Sequence, residues 1–121
     1  MTPEALRDQV IEALEDRKGQ KILALDVRRL TSIADVMVIV SGTSNRHVRA
    51  LVDAAVEAAA TAGIKPIGVE GLETCEWVLV DLGDVIVHVM QAEPRGFYDL
   101  ERLWQEAPVT GGLQSGTERG G

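Results

Sequence analysis

The stretch VMVIVS at 36–41, running straight into GTSNRHVRALVDAAVEAAATAG, restricts the fold more than any other part of the chain. Its six residues carry no charge and are rich in β-branched side chains, the pattern of a buried strand. Ser44 is a good N-cap, so the spacing predicts a helix from Asn45 to about Ala62, ended by Gly63. Val48, Leu51, Val52, Ala55, Val56 and Ala59 recur at three- and four-residue spacing and form its inner face. A strand, a crossover helix and a later strand require a sheet that is parallel in part, with helices covering it.

Thr2, Pro3 and Glu4 read as a helix start, a capping hydroxyl followed by proline at the first helical position. Leu6, Val10 and Leu14 give that helix one apolar stripe, and Gly19 is its expected stop. KILALDV at 21–27 reads as a strand and RRLTSIAD at 28–35 as a connection. IKPIGVEG contributes a short strand that starts after Pro66. EWVLVDLGDVIVHVM at 76–90 is a hairpin, and RGFYDLERLWQ at 95–105 places Phe97, Leu100, Leu103 and Trp104 along a last helix. The order α, β, β, α, β, β, β, α describes an α/β fold, a small mixed β-sheet flanked by helices. Residues 1–107 form its single domain, and the Gly-rich segment 108–121 is expected to be disordered.

The hairpin turn decides which side chains share a face. A two-residue turn at Leu82-Gly83 would force Leu82 to positive φ, so a three-residue loop of Asp81, Leu82 and Gly83 is expected. That register sets Trp77 against Val87, Leu79 against Val85, Val80 against Asp84 and Glu76 against His88. Trp77, Leu79, Val85, Val87 and Val89 then line one face, with Glu76, Val78, Val80, Ile86 and His88 on the other. A carboxylate opposite His88 would favour the protonated ring; the alternative register sets His88 beside Trp77, where the contact would be stacking.

Charge excludes some functions. The net charge is −7, and no Lys or Arg lies between Lys65 and Arg95, where Glu70, Glu73, Glu76, Asp81, Asp84 and Glu93 are found. Such a segment repels RNA, whose binders cluster Lys and Arg, and steers toward a basic partner. Two histidines and the single Cys75 fall short of the four ligands of a zinc site. No apolar run reaches membrane-spanning length, and the charged N-terminus and lone cysteine read as cytoplasmic. Gly42, Thr43 and Ser44 precede a helix, with Arg46 and His47 beside them, and suggest a phosphate loop. Nucleotidyltransferase domains use a similar loop but add an acidic pair for Mg²⁺, and the first acid here is Asp53, inside the helix. Helix capping by Ser44 is the simpler reading.

SGTSNRHV, GVEG, EWVLVDLGDVIVHVM and FYDLERLW, taken together, resemble the ribosomal silencing factors, the Iojap family. The most specific part is the spaced string W-V-L-V-D-x-G-D-V-x-V-H followed by E-x-R-x-x-Y-x-L-E-x-L-W, and the likeness runs from Leu6 to Pro108. Leu82 and Met90 stand where many members carry aromatics, and Val36-Met37 replaces a Tyr-Phe pair. The resemblance implies a nucleotidyltransferase-like fold without catalytic acids, and a translation repressor rather than an enzyme, with no cofactor or metal. It also implies binding to the large ribosomal subunit through its fourteenth protein, a block on subunit joining, and frequent homodimers. The expected contact residues are the acids Glu70, Glu76, Asp81, Asp84 and Glu93, with His88 and the aromatic anchors Trp77 and Tyr98. The competing function is a nucleotide-binding or nucleotidyl-transferring enzyme using the 42–44 loop.

Overall fold

The computed structural model describes residues 2–92. The helix expected at 95–105, the tail at 108–121, and Glu93 and Tyr98 lie outside the described residues. Within them the order is α1 (Pro3–Asp16), β1 (Gln20–Asp26), β2 (Val36–Gly42), α2 (Asn45–Thr61), β3 (Gly68–Glu70), β4 (Trp77–Asp81) and β5 (Val85–Gln91). This matches the first seven expected elements.

Local chemistry sets most of these boundaries. Thr2 accepts a hydrogen bond from the Ala5 amide at 3.1 Å, and Ser44 accepts one from the His47 amide at 3.1 Å, so each hydroxyl satisfies an amide that the first helical turn leaves without a partner. Gly63, at φ +80, closes α2. Its amide bonds the Ala60 carbonyl while Ile64 reaches back to Ala59, the paired bonds of a left-handed C-terminal cap.

The end of α1 differs from expectation. Lys18, at φ +64, takes the left-handed position, with its amide on Glu15 and that of Gly19 on Leu14. Gly19 is required for space: a Cβ there would stand 2.7 Å from Val40 Cγ2 and 3.2 Å from Leu51 Cδ2. It marks where the chain slips between β2 and α2.

The five strands run in the order β1-β2-β5-β4-β3. β2 and β5 pair in parallel, and the other neighbours are antiparallel. The parallel pair forms the centre, buried along nearly its whole length, which explains why both strands read as continuous apolar runs. Leu6, Val10, Leu14, Val48, Leu51 and Val52 of the two helices pack on one sheet face, against Val36, Val38, Val40, Val78, Val80, Val87 and Val89. A second cluster of Leu25, Val27, Met37, Ile39 and Met90, with Leu23 and Trp77 packed on it, occupies the opposite face.

The hairpin register corrects the expected one. Trp77 pairs with Met90, Leu79 with His88 and Val80 with Val87, and the Leu82 amide bonds the Val85 carbonyl at 2.9 Å. The loop is the two residues Gly83 and Asp84. Gly83, at φ +95, holds the first central position, and Asp84 is not among the positive-φ residues, the arrangement of a type II′ turn. A two-residue turn is thus reached without straining Leu82, by sliding it one residue along. The displacement from the expected pairing is odd, so the faces exchange. Trp77, Leu79 and Asp81 lie with Ile86, His88 and Met90, while Val78, Val80 and Leu82 lie with Val85, Val87 and Val89 on the helix side.

Candidate functional site

The acids of the 66–92 segment do not converge on one point. Glu70 pairs with Leu79 and therefore shares the face of Asp81, Trp77 and His88. Glu76 precedes β4, exposed, at the opposite end of the hairpin from Asp84. At about 3.4 Å per residue these two stand roughly 20 Å apart. Asp81 Oδ1 accepts the Gly83 amide at 2.9 Å, so it organises the turn as well as adding charge. Asp84 has an exposed side chain, and its carbonyl accepts the amides of Asp35 and Val36 at 2.9 and 3.0 Å, tying the turn to the start of β2. Among the described residues none of the four forms an ion pair; the ion pairs there involve Arg7, Arg17 and Arg28.

His88 does not meet Glu76. It is buried, with Leu79 on one side and Ile39 on the other, and the Trp77 indole N–H donates to its Nδ1 at 3.0 Å. The rings are tilted at 48° with centroids 6.0 Å apart. Burial drives the imidazole pKa from 6.5 down to about 4, opposite to the shift a facing carboxylate would give. His88 is a neutral acceptor that holds Trp77, which is itself half-buried.

The polar groups of the 42–44 loop are used in holding the fold. The Thr43 amide donates to His47 Nδ1 at 2.9 Å, which leaves the proton on Nε2 to be donated to the Arg17 carbonyl at 2.9 Å. One ring thereby joins the end of α1 to the start of α2. A Cβ on Gly42 would lie 3.0 Å from Val48 Cγ2 and 3.1 Å from the Val48 amide, so close packing of α2 explains the glycine. Beside it an open cleft of about 530 Å³ carries opposed charges, Arg46 and Arg49 against Asp53 and Glu73. Gln91 closes the base of this region, bonding Asn45 Oδ1 and, at 3.2 Å, the carbonyl of the buried Cys75. Among the described residues no three of His, Cys, Asp and Glu are grouped to hold a metal, and no helix is long and apolar enough to cross a membrane.

The sequence reading passed over two side chains. Ile33, in the connection before β2, is 73% exposed, and Ile67, beside Pro66, is 72% exposed. Each is a single apolar residue among polar or turn-forming neighbours, where no periodicity marks a buried role.

Among the described residues, a mixed five-stranded sheet with both helices on one face and a strand-to-helix loop whose Thr43 and Ser44 are hydrogen-bonded to His47 define a small α/β domain. The chain matches the family described as "Ribosomal silencing factor during starvation" over residues 1–119, past the Pro108 at which the resemblance in the sequence ends. It is 50% identical over 94 residues to a ribosomal silencing factor of Chromobacterium violaceum, covering 78% of this chain and 77% of that protein. A crystal structure of a C. violaceum protein superposes with a TM-score of 0.85 at 41% identity, covering 97% of this chain and 98% of that one. A more distant relative is the mouse protein named for mitochondrial assembly of the ribosomal large subunit, 31% identical over 80% of this chain and 44% of that protein. The chain belongs to the ribosomal silencing factor family, a family of regulatory proteins.

Proposed function

We propose that the protein represses translation by binding the large ribosomal subunit through its fourteenth protein and occupying the surface to which the small subunit would join. The observation that carries this reading is the run between Lys65 and Arg95, free of Lys and Arg, whose described acids stand on or beside one hairpin without ion-pair partners. Unneutralised carboxylates attract a basic protein and are repelled by RNA phosphates, which favours the right site on a surface that is mostly RNA. A blocker needs affinity and bulk, and one standard interface of about 800 Å² per partner is enough. The reading places the protein in the cytoplasm and allows a homodimer whose contact leaves the acidic segment open.

The test is sedimentation of purified subunits with added protein. The joined particle should decrease as protein is added, and unchanged joining at saturating protein would refute the reading. Calorimetry with nucleotides and Mg²⁺ should give no heat; a binding isotherm would instead favour the nucleotide-enzyme reading of the 42–44 loop.

A further inference from the structure

We infer that the docking surface lies at the end of the sheet that carries the Gly83–Asp84 turn, with Ile33 and Ile67 as its apolar contacts and Asp35 and Asp84 between them, and that its occupant is a basic protein surface. The inference rests on the ribosome-binding reading and assigns it a place on the molecule.

Pairing brings these residues together. Asp35 and Val36 donate their amides to the Asp84 carbonyl, which sets the 33–35 segment against one side of the turn. On the other side the Ile67 amide bonds the Asp81 carbonyl at 2.7 Å, and Ile67 Cδ1 would stand 3.7 Å from a Cβ at Gly83. Ile33 leads into β2 and Ile67 into β3, so the strand order places β5 and β4 between them. At about 4.8 Å per strand the two isoleucines are roughly 14 Å apart, a distance that fits within the core of one ordinary interface. Leu30, 47% exposed, extends the apolar strip on the β2 side.

Exposure and charge argue for a protein partner. Ile33 and Ile67, in the segments that lead into β2 and β3, are the two most exposed large aliphatics of the described residues, while every Ile and Leu within the strands is at least half-buried. Among the described residues the carboxylates between them, Asp35 and Asp84, form no ion pair. Arg28 is engaged with Glu4 at 2.7 Å and Asp26 at 3.1 Å, while the exposed Arg29, next to Leu30, and Lys65, two residues before Ile67, stand at the outer ends of the strip. A surface that is acidic at its centre and aliphatic at its flanks suits a partner presenting Lys or Arg beside apolar side chains, and is unsuited to bare RNA. Glu70, Trp77 and His88, on a sheet face, and Glu76, at the far end of the hairpin, fall outside it; Asp81 and Asp84 belong to it.

The experiment measures binding of the full chain to isolated large subunits at fixed salt. It compares wild type with the double substitution Ile33→Ser and Ile67→Ser, the single substitution Asp84→Asn, and Glu12→Lys on the exposed face of α1. The altered residues are exposed, so the thermal midpoints should stay close to wild type and report folding independently. The double variant should bind at least tenfold more weakly, Asp84→Asn several-fold more weakly, and Glu12→Lys as wild type. Wild-type binding with undiminished affinity in the folded double variant overturns the surface assignment alone. Loss of self-association in that variant, with subunit binding intact, also overturns it and assigns the strip to a second copy of the chain. Failure of the wild type to bind subunits overturns the ribosome-binding reading itself and this inference with it.

Discussion

The indole N–H of Trp77 donates to Nδ1 of His88 at 3.0 Å across the β4–β5 hairpin. The bond requires an unprotonated Nδ1, and burial depresses the ring's pKa to about 4 from 6.5. Between these values the unfolded chain binds a proton that the folded one does not. Stability therefore falls as pH drops from about 6.5 to about 4, by about 3 kcal/mol over the window, and is unaffected by this group above it. Denaturant midpoints measured from pH 7.5 to 4 should show this slope. His88→Gln, which keeps an acceptor for the indole, should flatten it; an unchanged slope would mean that other groups carry the acid sensitivity.

The end of α1 makes a paired prediction. Lys18 holds a left-handed conformation that glycine adopts without steric cost, whereas Gly19 has a neighbour 2.7 Å from where a Cβ would sit. Lys18→Gly should raise stability by about 0.5–1 kcal/mol. Gly19→Ala should lower it by about 1–3 kcal/mol through overpacking against Val40 and Leu51. Urea denaturation of the two variants checks both signs.

How much of this was legible in the sequence depended on how local the cause was. Thr2, Ser44 and Gly63 cap their helices by contacts within four residues, and each was read correctly. The crossover rule gave a sheet parallel in part, but not that β5 rather than β3 lies beside β2, which depends on contacts far apart in sequence. The turn at 83–84 carries its own signal, Gly followed by Asp as the two central residues of a type II′ turn, which the expected three-residue loop overlooks. That one step exchanged the hairpin faces and replaced the Glu76–His88 pair with Trp77–His88. Gly19 was read as a cap because its close approach to Val40 is a tertiary fact. Ile33 and Ile67 escaped notice for a related reason: an exposed aliphatic has no sequence pattern of its own.

His47 supplies a further test of what the 42–44 loop is for. Its ring accepts from the Thr43 amide and donates to the Arg17 carbonyl, tying the end of α1 to the start of α2. His47→Ala should cost about 0.5–1.5 kcal/mol of stability by removing two hydrogen bonds whose exposed partners can turn to water. Affinity for the large subunit, measured well below the denaturation midpoint, should be unchanged. A large loss of affinity in the folded variant would mean the loop itself contacts the ribosome.

Charge reversal separates steering from packing. Asp84 is exposed and uses only its backbone to hold the β2 end of the sheet, so Asp84→Lys leaves the Asp35 and Val36 bonds in place. Asp81 also bonds the Gly83 amide, and a change there would alter the turn as well as the charge. If the acids draw in a basic ribosomal protein, Asp84→Lys should slow association more than it speeds dissociation. The slope of affinity against salt should also become shallower than that of the wild type, because one attractive charge has become repulsive and both are screened within about 10 Å at 0.1 M salt. Stopped-flow binding to large subunits between 50 and about 300 mM salt reads both quantities. An association rate equal to that of the wild type at the lowest salt would mean that Asp84 faces no cation in the complex, and the acidic turn would then lie outside the contact.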